Sequence, residues 1–350
     1  MYIPEYIRIT NEPGLLLKKI IDETHANNII VITDENTNTV CYPKIAPYLP
    51  RHIVASVPAG ENNKNINNCL RIWHEMTNGG LDRNALTVNL GGGVICDMGG
   101  FCATTFKRGV RFINCPTTLL AQVDAGYGGK LGVNYENIKN NIGIFKMPYC
   151  VIISSSFLNT LSKRELRSGY AEMMKHALIS GVNEWDRLEK TDPTKIPSEE
   201  LIKQSIMIKS KIVCIDPKEG GYRKALNFGH TIGHVIESIL LSDQESMITH
   251  GDAIAAGIVA EAYLSYKYIG MEEGLLKSIC NYVSRYYPNI HYNNIKKTIF
   301  LNLLVQDKKS RGREIRAALV RAPGISITDV PVSKEACWES WKYYQSIYNK

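Results

Sequence analysis

The stretch LTVNLGGGVICDMGGF, Leu86–Phe101, indicates how the first half of the chain folds. An apolar run typical of a buried strand leads into three glycines, Gly91–Gly93, and the residues after them have the pattern of a helix. Glycines let a backbone approach a phosphate closely, and a helix N-terminus offers N–H groups to an anion. The dinucleotide-binding fingerprint is incomplete, because Cys96 stands at its third glycine position. The stretch leaves two interpretations open, a nucleotide-binding turn and a structural tight turn.

Strand and helix patterns alternate on both sides of this stretch, over roughly the first 150 residues. Apolar runs predict strands at Asn28–Thr33, Ile53–Val57, Leu86–Leu90, Arg111–Asn114 and Cys150–Ile153. Helical patterns at Gly14–His25 and Asn65–Met76 lie between them. This rhythm predicts βαβ units around a mostly parallel sheet, and in such sheets ligands bind at the carboxyl ends of the strands.

Helical patterns predominate from about Leu161 onward. They cover Arg164–Ile179, Glu199–Cys214, Phe228–Leu241 and Asp252–Tyr268, and a strand pair is predicted around Glu314–Val320 before a helical tail from Lys334. We therefore expect an α/β domain at residues 1–160, with a mostly parallel, Rossmann-like sheet, and a mainly α-helical domain at residues 161–350. We also expect a cleft between the two domains.

The composition is that of a globular enzyme, since 44% of the residues are hydrophobic and 21% are charged. Lys and Arg (41) exceed Asp and Glu (34), which favours an anionic partner, but they are scattered, so we expect no nucleic-acid binding. No apolar run reaches the roughly 18 residues that span a bilayer, and MYIPEYIRIT lacks the pattern of a signal peptide, so we expect no membrane association. Nine cysteines without a CxxC pair argue against a disulfide framework and favour a cytoplasmic protein.

Polar residues follow several of the predicted strands. Asp34 ends one strand, where a carboxylate could accept hydrogen bonds from ribose hydroxyls, and Pro58–Lys64 follows the next. For either feature alone, a capped helix start is the simpler explanation. The segment Arg108–Asn134 contains further polar residues that could face a ligand: Thr117, Thr118, Asp124 and Lys130. Lys130 comes directly after the glycine-rich Gly126–Gly129, which could form an anion cradle or a flexible solvated turn, and Lys139 and Asn140 come soon afterwards.

Two segments of the predicted helical domain carry chemistry. On the helix Arg164–Ile179, Glu172, Lys175 and His176 share one face by their spacing, within surroundings too apolar for a fully solvated helix. His230 and His234 are four residues apart, a spacing that can place two imidazoles on one metal, and His250 follows in a similarly apolar setting. Spacing alone leaves open which two of the three histidines are ligands. Glu172 is the best candidate for a carboxylate ligand.

A basic segment, Gln306–Leu319, surrounds a turn glycine near the end of the chain. A solvated loop is the usual explanation for such a charge cluster. In a protein with a doubly anionic substrate, the same segment could act as a lid or an anion clamp.

Together these blocks resemble the dehydroquinate synthases of the sugar phosphate cyclase group. The shared motifs are GGGVICD, RGV with PTTLLAQVD, GGK, the Lys139–Asn140 pair, REL with AEMMKH, and LNFGHTIGHVIE. They run from about Asp34 to Arg316 and form several long, independent blocks. The resemblance implies an NAD-binding α/β domain at residues 1–160 and a helical domain at residues 161–350 that binds metal and substrate.

The resemblance implies a zinc or cobalt ion held by Glu172, His230 and His250, with His234 beside the metal in the active site and not a ligand. It also implies a set of residues that contact NAD. These are Asp34, Gly60, Glu61, Lys64, Gly92, Gly93, Val94, Asp97, Thr117, Thr118, Lys130, Lys139, Phe157, Leu158 and Thr160.

An anionic sugar phosphate is the implied substrate, and a further set of residues matches those that grip it or act on it. These are Asp124, Lys130, Asn140, Lys175, Lys209, Arg223, Asn227, His234, Lys308 and Lys309. The resemblance also implies a homodimer in which Arg108 reaches the active site of the neighbouring subunit.

The sequence departs from the family pattern at Cys96, where a glycine is usual, and at Ala125–Tyr127, where small or serine residues and a valine are common. We expect the Cys96 side chain to lie close to the pyrophosphate of NAD. At the start of a helix the dipole would lower the pKa of the thiol, so Cys96 should react with bulky thiol reagents.

The implied activity converts 3-deoxy-D-arabino-heptulosonate 7-phosphate to 3-dehydroquinate and phosphate, a step of the shikimate pathway, by transient oxidation with NAD, phosphate elimination, reduction and aldol cyclisation. Another cyclase, such as 2-deoxy-scyllo-inosose synthase, is one alternative, but it has an acidic residue at the place of Asn227. A metal-dependent NAD alcohol dehydrogenase would not need Lys130, Lys209 and Arg223 together. A non-catalytic NAD- or zinc-binding module gives no reason for so many charged groups.

Overall fold

A computed structural model describes residues 3–136, 138–241, 248–290, 295–306 and 315–348. The chain divides into two compact units, Met1–Ser162 and Lys163–Lys350. Within the described ranges, every helix is too short or too polar to cross a membrane.

The first unit is an α/β unit with a six-stranded parallel sheet in its described residues. Its strands are β1 (Ile7–Ile9), β2 (Ile29–Asp34), β3 (Ile53–Val57), β4 (Leu86–Gly91), β5 (Arg111–Pro116), β6 (Lys130–Tyr135), β7 (Ile138–Phe145) and β8 (Cys150–Ile153). Its helices are α1 (Pro13–Thr24), α2 (Glu35–Val40), α3 (Ile66–Asn78) and α4 (Gly93–Thr105). The strand order β1-β8-β5-β4-β2-β3 confirms the predicted parallel sheet, and β6 and β7 form a separate antiparallel hairpin.

Apolar side chains point to both faces of the sheet along β2, which explains why helices cover both faces. Ile30 and Ile32 pack with α3 and α4, whereas Ile29 and Val31 pack with α1. Burial of apolar side chains on both faces is the arrangement that parallel strands require, and it accounts for their nearly continuous apolar sequences.

The register of the sheet brings the carboxyl ends of neighbouring strands together. Gly91 at the end of β4 pairs with Pro116 at the end of β5, and Asp34 at the end of β2 pairs with Val57 at the end of β3. The glycine turn after β4, the Thr117–Thr118 pair after β5 and Asp34 therefore lie along one edge of the sheet. This is the edge at which open parallel sheets bind ligands.

The second unit is mainly helical, as predicted. Its elements are α5 (Lys163–Ser180), α6 (Val182–Leu188), α7 (Glu199–Ile215), α8 (His230–Leu241), α9 (His250–Ile269), α10 (Glu273–Tyr286), α11 (Lys297–Gln306), β9 (Ile315–Ala322), β10 (Ile325–Val332) and α12 (Lys334–Ser346). Helix α9 is buried along most of its length and packs against α5, α8, α10 and α12. The strands β9 and β10 form an antiparallel hairpin, which matches the strand pair predicted near Glu314.

Candidate active site

Helix α5 places two charged side chains in the interior of the second unit. Glu172 is fully buried and Lys175 is 1% exposed, and the Lys175 ammonium is paired with Glu172 Oε2 one turn away. His176, on the same helix, is buried and bonded through Nδ1 to the Ser205 hydroxyl. A buried carboxylate requires compensating charge or hydrogen bonds, so the position of Glu172 marks a functional site more strongly than its sequence spacing did.

Helices α8 and α9 each begin at a histidine, His230 and His250. A helix was predicted at Phe228–Leu241, and α8 begins two residues later because Gly229 has a left-handed φ of 81°. The predicted helix Asp252–Tyr268 starts two residues earlier, because Thr249 caps it and forms a capping box with Asp252. These helix starts place both imidazoles beside Glu172.

His230, His250 and Glu172 converge on a single point. His230 Nε2 lies 3.4 Å and His250 Nε2 lies 3.2 Å from the same atom, Glu172 Oε1. The three potential ligand atoms lie within 4.8 Å of one another. Two imidazole nitrogens and one carboxylate oxygen form a donor set that zinc binds in proteins.

The outer nitrogens of both rings are fixed by hydrogen bonds. His230 Nδ1 donates to the Phe228 carbonyl at 3.2 Å, so in the neutral ring the lone pair of Nε2 points at Glu172 Oε1. His250 Nδ1 lies 3.1 Å from Glu237 Oε1, so this carboxylate orients the second ring. Lone pairs that face each other are an arrangement that a cation between them would stabilise, and the residues therefore fit a divalent metal ion.

The charges within the cluster follow from its surroundings. Burial, followed by the nearby Lys175 ammonium, lowers the pKa of His230 to about 3, so this ring is neutral. Burial opposes a charge on His250 as well, but Glu237 and Glu172 outweigh it and raise the pKa of His250 to about 10. Burial opposes a charge on Glu172 too, yet the adjacent Lys175 ammonium holds the pKa of this carboxyl well below the usual range.

His234 lies next to this cluster, one turn along α8 from His230. Its ring centroid is 5.2 Å from that of His230 and 6.3 Å from that of His250, and the side chain is half-buried. In the described part of the chain, its ring nitrogens do not belong to the group of converging ligand atoms. Its role beside the metal stays a prediction.

The segment before α8 holds two of the residues predicted to bind substrate, Arg223 and Asn227. The Asp216 carboxylate accepts hydrogen bonds from the backbone N–H groups of Gly220, Gly221 and Arg223. Arg223 is buried and donates to the Pro217 carbonyl, and Asn227 donates to Glu219.

The predicted lysines of this unit differ in what the structure describes. Lys209 on α7 is also buried, while Lys308 and Lys309 lie outside the described residues. Sequence reasoning missed Asp216, Glu219 and Glu237, whose partners become visible only in three dimensions.

In the first unit, the glycine turn after β4 ends in the N-terminus of α4, where Gly92 is the N-cap, Gly93 the first residue and Val94 the second. Gly92 offers no side chain to cap the helix, and a Cβ at Gly92 would come within 3.0 Å of Thr118. The backbone N–H of Thr117 donates to the Gly91 carbonyl, which holds the β5 loop against the turn. Open backbone N–H groups beside a narrow space fit the phosphates of a dinucleotide.

A buried lysine, Lys64, binds two other predicted residues of this unit. Lys64 Nζ donates to Asp97 Oδ2 at 2.5 Å and to Asn140 Oδ1 at 2.6 Å. Asn134 on β6 binds the Glu61 carboxylate and also accepts from the Asn140 N–H. The turn that begins at Gly60 is thereby tied to α4 and to the β6–β7 hairpin.

Other residues predicted to contact NAD have structural partners. Asp34 caps α2 by accepting from the Thr37 N–H at 2.8 Å, as the simpler explanation held. The Phe157 and Leu158 side chains are buried in the core, so these two residues could contact a cofactor only through their backbone. Thr160 is exposed.

The remaining predicted residues of this unit differ in exposure. Asp124 and Lys139 are half-buried, whereas Lys130, at the start of β6, is exposed. Arg108 is also exposed and has a left-handed φ of 70°.

Comparison with known proteins decides the family. The models for the N-terminal and C-terminal domains of 3-dehydroquinate synthase match residues 54–168 and 169–310. A 3-dehydroquinate synthase of Parabacteroides distasonis is 40% identical over 337 residues, which cover 95% of this chain and 95% of that protein. This chain belongs to the 3-dehydroquinate synthase family. The resemblance inferred from the motifs is confirmed.

Solved structures of sugar phosphate cyclases share the fold of this 3-dehydroquinate synthase family member. A 2-deoxy-scyllo-inosose synthase complexed with carbaglucose-6-phosphate, NAD+ and Co2+ aligns with a TM-score of 0.86 at 23% identity and covers 96% of each chain. The 2-epi-5-epi-valiolone synthase from Streptomyces hygroscopicus subsp. jinggangensis 5008, with NAD+ and Zn2+ bound, aligns with a TM-score of 0.83 at 20% identity. The alignment covers 99% of this chain and 98% of the valiolone synthase.

The structure corrects what we expected of Cys96, a departure from the 3-dehydroquinate synthase pattern. The side chain is fully buried, and its thiol donates to the Gly91 carbonyl at 3.7 Å. Burial, with a smaller contribution from the Asp97 charge, raises the pKa of Cys96 well above its ordinary value. The expected lowering by the helix dipole is wrong, because the thiol points into the protein. Tyr127 is likewise a core residue, whose hydroxyl donates to the Val123 carbonyl at 2.7 Å.

Proposed function

We propose that this chain is an NAD- and metal-dependent 3-dehydroquinate synthase that converts 3-deoxy-D-arabino-heptulosonate 7-phosphate to 3-dehydroquinate and phosphate. The observation that carries the proposal is the convergence of His230 and His250 on Glu172 in a member of this family. This convergence supports the binding of a zinc or cobalt ion by these three residues. NAD would serve as acceptor and donor of one hydride, and the metal would polarise the oxygen at the oxidised carbon.

In the first unit, the N–H groups of Gly92, Gly93 and Val94 would bind the phosphates of NAD. Asp97 is oriented by its ion pair with Lys64 and would accept hydrogen bonds from the cofactor. Asp34, whose carboxylate caps α2, lies at the same edge of the sheet and would face the ribose. The assignment is supported by the place of the glycine turn and Asp34 at strand ends, and by the position of Asp97 on α4, which follows that turn.

The substrate carries a phosphate and a carboxylate, and this chain has cations to bind both. Arg223 is held by its bond to the Pro217 carbonyl, and a guanidinium can bind an oxyanion through two N–H groups. Lys209 is buried nearly as deeply, whereas Lys130 is exposed at the start of β6. Such cations would hold the flexible substrate in the conformation that closes the ring, which lowers the entropy cost of cyclisation.

Proton transfer falls to His234 in this proposal. Its imidazole is half-buried beside His230 and His250, and an imidazole can accept and release a proton near neutral pH. Lys175, whose ammonium is paired with Glu172, would keep that carboxylate ionised and available as a ligand.

We also propose a cytoplasmic homodimer without nucleic-acid or membrane partners. The exposed position of Arg108, on a turn with left-handed φ at both Lys107 and Arg108, supports a contact with the neighbouring subunit. There the Arg108 guanidinium would bind the phosphate of the partner's substrate.

The test is the release of phosphate from the heptulosonate phosphate by the purified chain. We expect release with NAD and Zn2+ or Co2+ together, none after chelation of the metal, and none without NAD. Phosphate release that is unaffected by removal of both cofactors would contradict the proposal. Release from glucose 6-phosphate, with none from the heptulosonate phosphate, would favour the alternative cyclase.

A further inference from the structure

A buried carboxylate outside the proposed metal site holds the start of the helix that carries His230. Glu261, on α9, is fully buried, and its two oxygens accept hydrogen bonds from two backbone N–H groups at the start of α8, one just before the helix and one in its first turn. Gly229 N donates to Oε2 at 2.7 Å, and Ile232 N donates to Oε1 at 3.0 Å. Because these donors lie on either side of His230, Glu261 fixes the backbone at that residue.

The start of α8 depends on this outside partner because it has no capping side chain of its own. Gly229 is the N-cap, since its carbonyl accepts from the Gly233 N–H at 3.1 Å. Its φ of 81° disfavours any other residue, and a Cβ there would lie 2.4 Å from Ile258 Cγ1. N–H groups at a helix start remain unsatisfied unless a side chain or another acceptor reaches them. Glu261 supplies that acceptor, and its negative charge also suits the helix dipole.

One helix therefore carries both His250 and the residue that anchors His230. His250 is the first residue of α9, and Glu261 lies three turns further along the same helix. The backbones of the two helices are in close contact at Gly257, where an added Cβ would lie 2.0 Å from the Gly229 carbonyl oxygen. This contact keeps the two helices in register. A shift between α8 and α9 would thus separate the two imidazoles.

We infer that Glu261 is a positioning residue for the metal site, which sets the geometry of His230 relative to His250 by capping α8 from α9. The inference rests on the proposed function, in which both histidines are metal ligands. Among the described residues Glu261 is outside the group of converging ligand atoms, so its effect is on their placement.

The test compares metal binding by the wild-type chain and Glu261→Gln. The amide has almost the same size, but its nitrogen cannot accept a hydrogen bond, so one of the two N–H groups loses its partner. Zn2+ and Co2+ dissociation constants are measured by competition with a chelator, well below the unfolding temperature of each variant. We expect affinity to fall roughly 10-fold or more, by analogy with the loss of groups that orient ligands, and the absorption spectrum of bound Co2+ to change.

Ser265→Ala is the matched control. Ser265 lies one turn further along α9 and is fully buried. Its hydroxyl donates to the Glu261 backbone carbonyl within α9 and accepts from the Val320 N–H of β9, so it bonds neither the Glu261 carboxylate nor α8 in these contacts. This variant should lose stability while its metal affinity and Co2+ spectrum stay those of the wild type. A merely structural role of Glu261 would give the same pattern as this control.

Glu261→Asp keeps the charge with a shorter reach and serves if the glutamine variant does not fold. It should bind metal more weakly than Ser265→Ala. Wild-type affinity and spectrum in the folded Glu261 variants would overturn the inference while leaving the proposed function intact. If the wild-type chain binds neither metal, the proposed function fails, and this inference fails with it.

Discussion

Glu172 shows how the chemistry of one residue organises the second unit. An ionised carboxylate with no exposure to water must be compensated. The Lys175 ammonium is paired with one oxygen, and the His250 imidazole, whose pKa is raised to about 10, lies 3.2 Å from the other, beside the neutral His230 ring. Lys175 comes from the same helix, whereas His230 and His250 come from the starts of two others. The pairing with Glu172 explains why Lys175 is also buried. The two residues form a buried ion pair and not one at the protein surface.

The hydrogen bond between Glu237 and His250 leads to a prediction at the residue scale. Glu237→Gln should weaken Zn2+ or Co2+ binding roughly 10- to 100-fold, because the amide orients the His250 ring less strongly than the carboxylate. Chelator competition measures the affinity. Glu189→Gln is the control, since Glu189 accepts from the Ser278 hydroxyl instead of a histidine, and it should leave affinity unchanged. Equal affinity in the two variants would show that Glu237 does not orient a ligand.

Burial of Cys96 predicts a low reactivity of its thiol. A bulky thiol reagent should label Cys214, which is exposed, within the native protein and reach Cys96 only after unfolding. The reaction requires a thiolate, and the raised pKa of Cys96 keeps its thiol protonated at neutral pH. Mass spectrometry of labelled peptides measures both rates, with and without NAD. Fast labelling of Cys96 that NAD prevents would place its side chain at the cofactor after all.

At the scale of elements, the contact between α8 and α9 depends on a glycine. Gly257→Ala should lower the free energy of unfolding by about 1–3 kcal/mol, because the new Cβ meets the Gly229 carbonyl oxygen and the Gly233 backbone. Denaturant unfolding measures the change. Gly274→Ala on α10 is the control: its Cβ would meet no atom within 4 Å, and alanine there should be neutral or slightly stabilising. Equal free energies of unfolding for the two variants would mean that α8 and α9 can move apart at Gly257 without a loss of stability.

Much of the first unit could be predicted from the sequence, because its strands are apolar on both faces. The strands Ile53–Val57 and Cys150–Ile153 were predicted with the bounds that the structure has. β1 was missed because three residues are too few for a periodic pattern. The β6–β7 hairpin was missed because β7 is mostly exposed and interrupted by polar residues and a glycine. Its partner strand follows the glycine-rich Gly126–Gly129, which suggested a loop.

The candidate site was predictable as a set of residues and less so as a set of contacts. Local spacing could place Glu172 and Lys175 on one face of a helix, since both are on α5. It could not choose two ligands among His230, His234 and His250, because the position of His250 depends on how α9 packs against α8. The role of Glu261 was beyond sequence reasoning for the same reason, since its partners lie 29 and 32 residues away.

At the scale of the whole molecule, the proposed homodimer makes Arg108 and Lys130 complementary across subunits. Arg108→Ala and Lys130→Ala should each be inactive alone, and exchange of their subunits should restore about a quarter of the wild-type activity. Half of the randomly paired dimers are mixed, and one site in each mixed dimer has both residues. Phosphate release measures the recovery, and differently tagged subunits verify the exchange. Verified exchange without recovery would show that Arg108 does not act in the partner's site.

The central claim is that the chain is a cyclase in which NAD is reduced and reoxidised within one reaction cycle. The direct measurement follows 3-dehydroquinate, phosphate and reduced NAD together, with the heptulosonate phosphate in large excess over NAD and with Zn2+ or Co2+ present. We predict equal amounts of 3-dehydroquinate and phosphate, far above the amount of NAD, with no accumulation of reduced cofactor. One reduced NAD for each substrate consumed would contradict the claim and indicate a dehydrogenase.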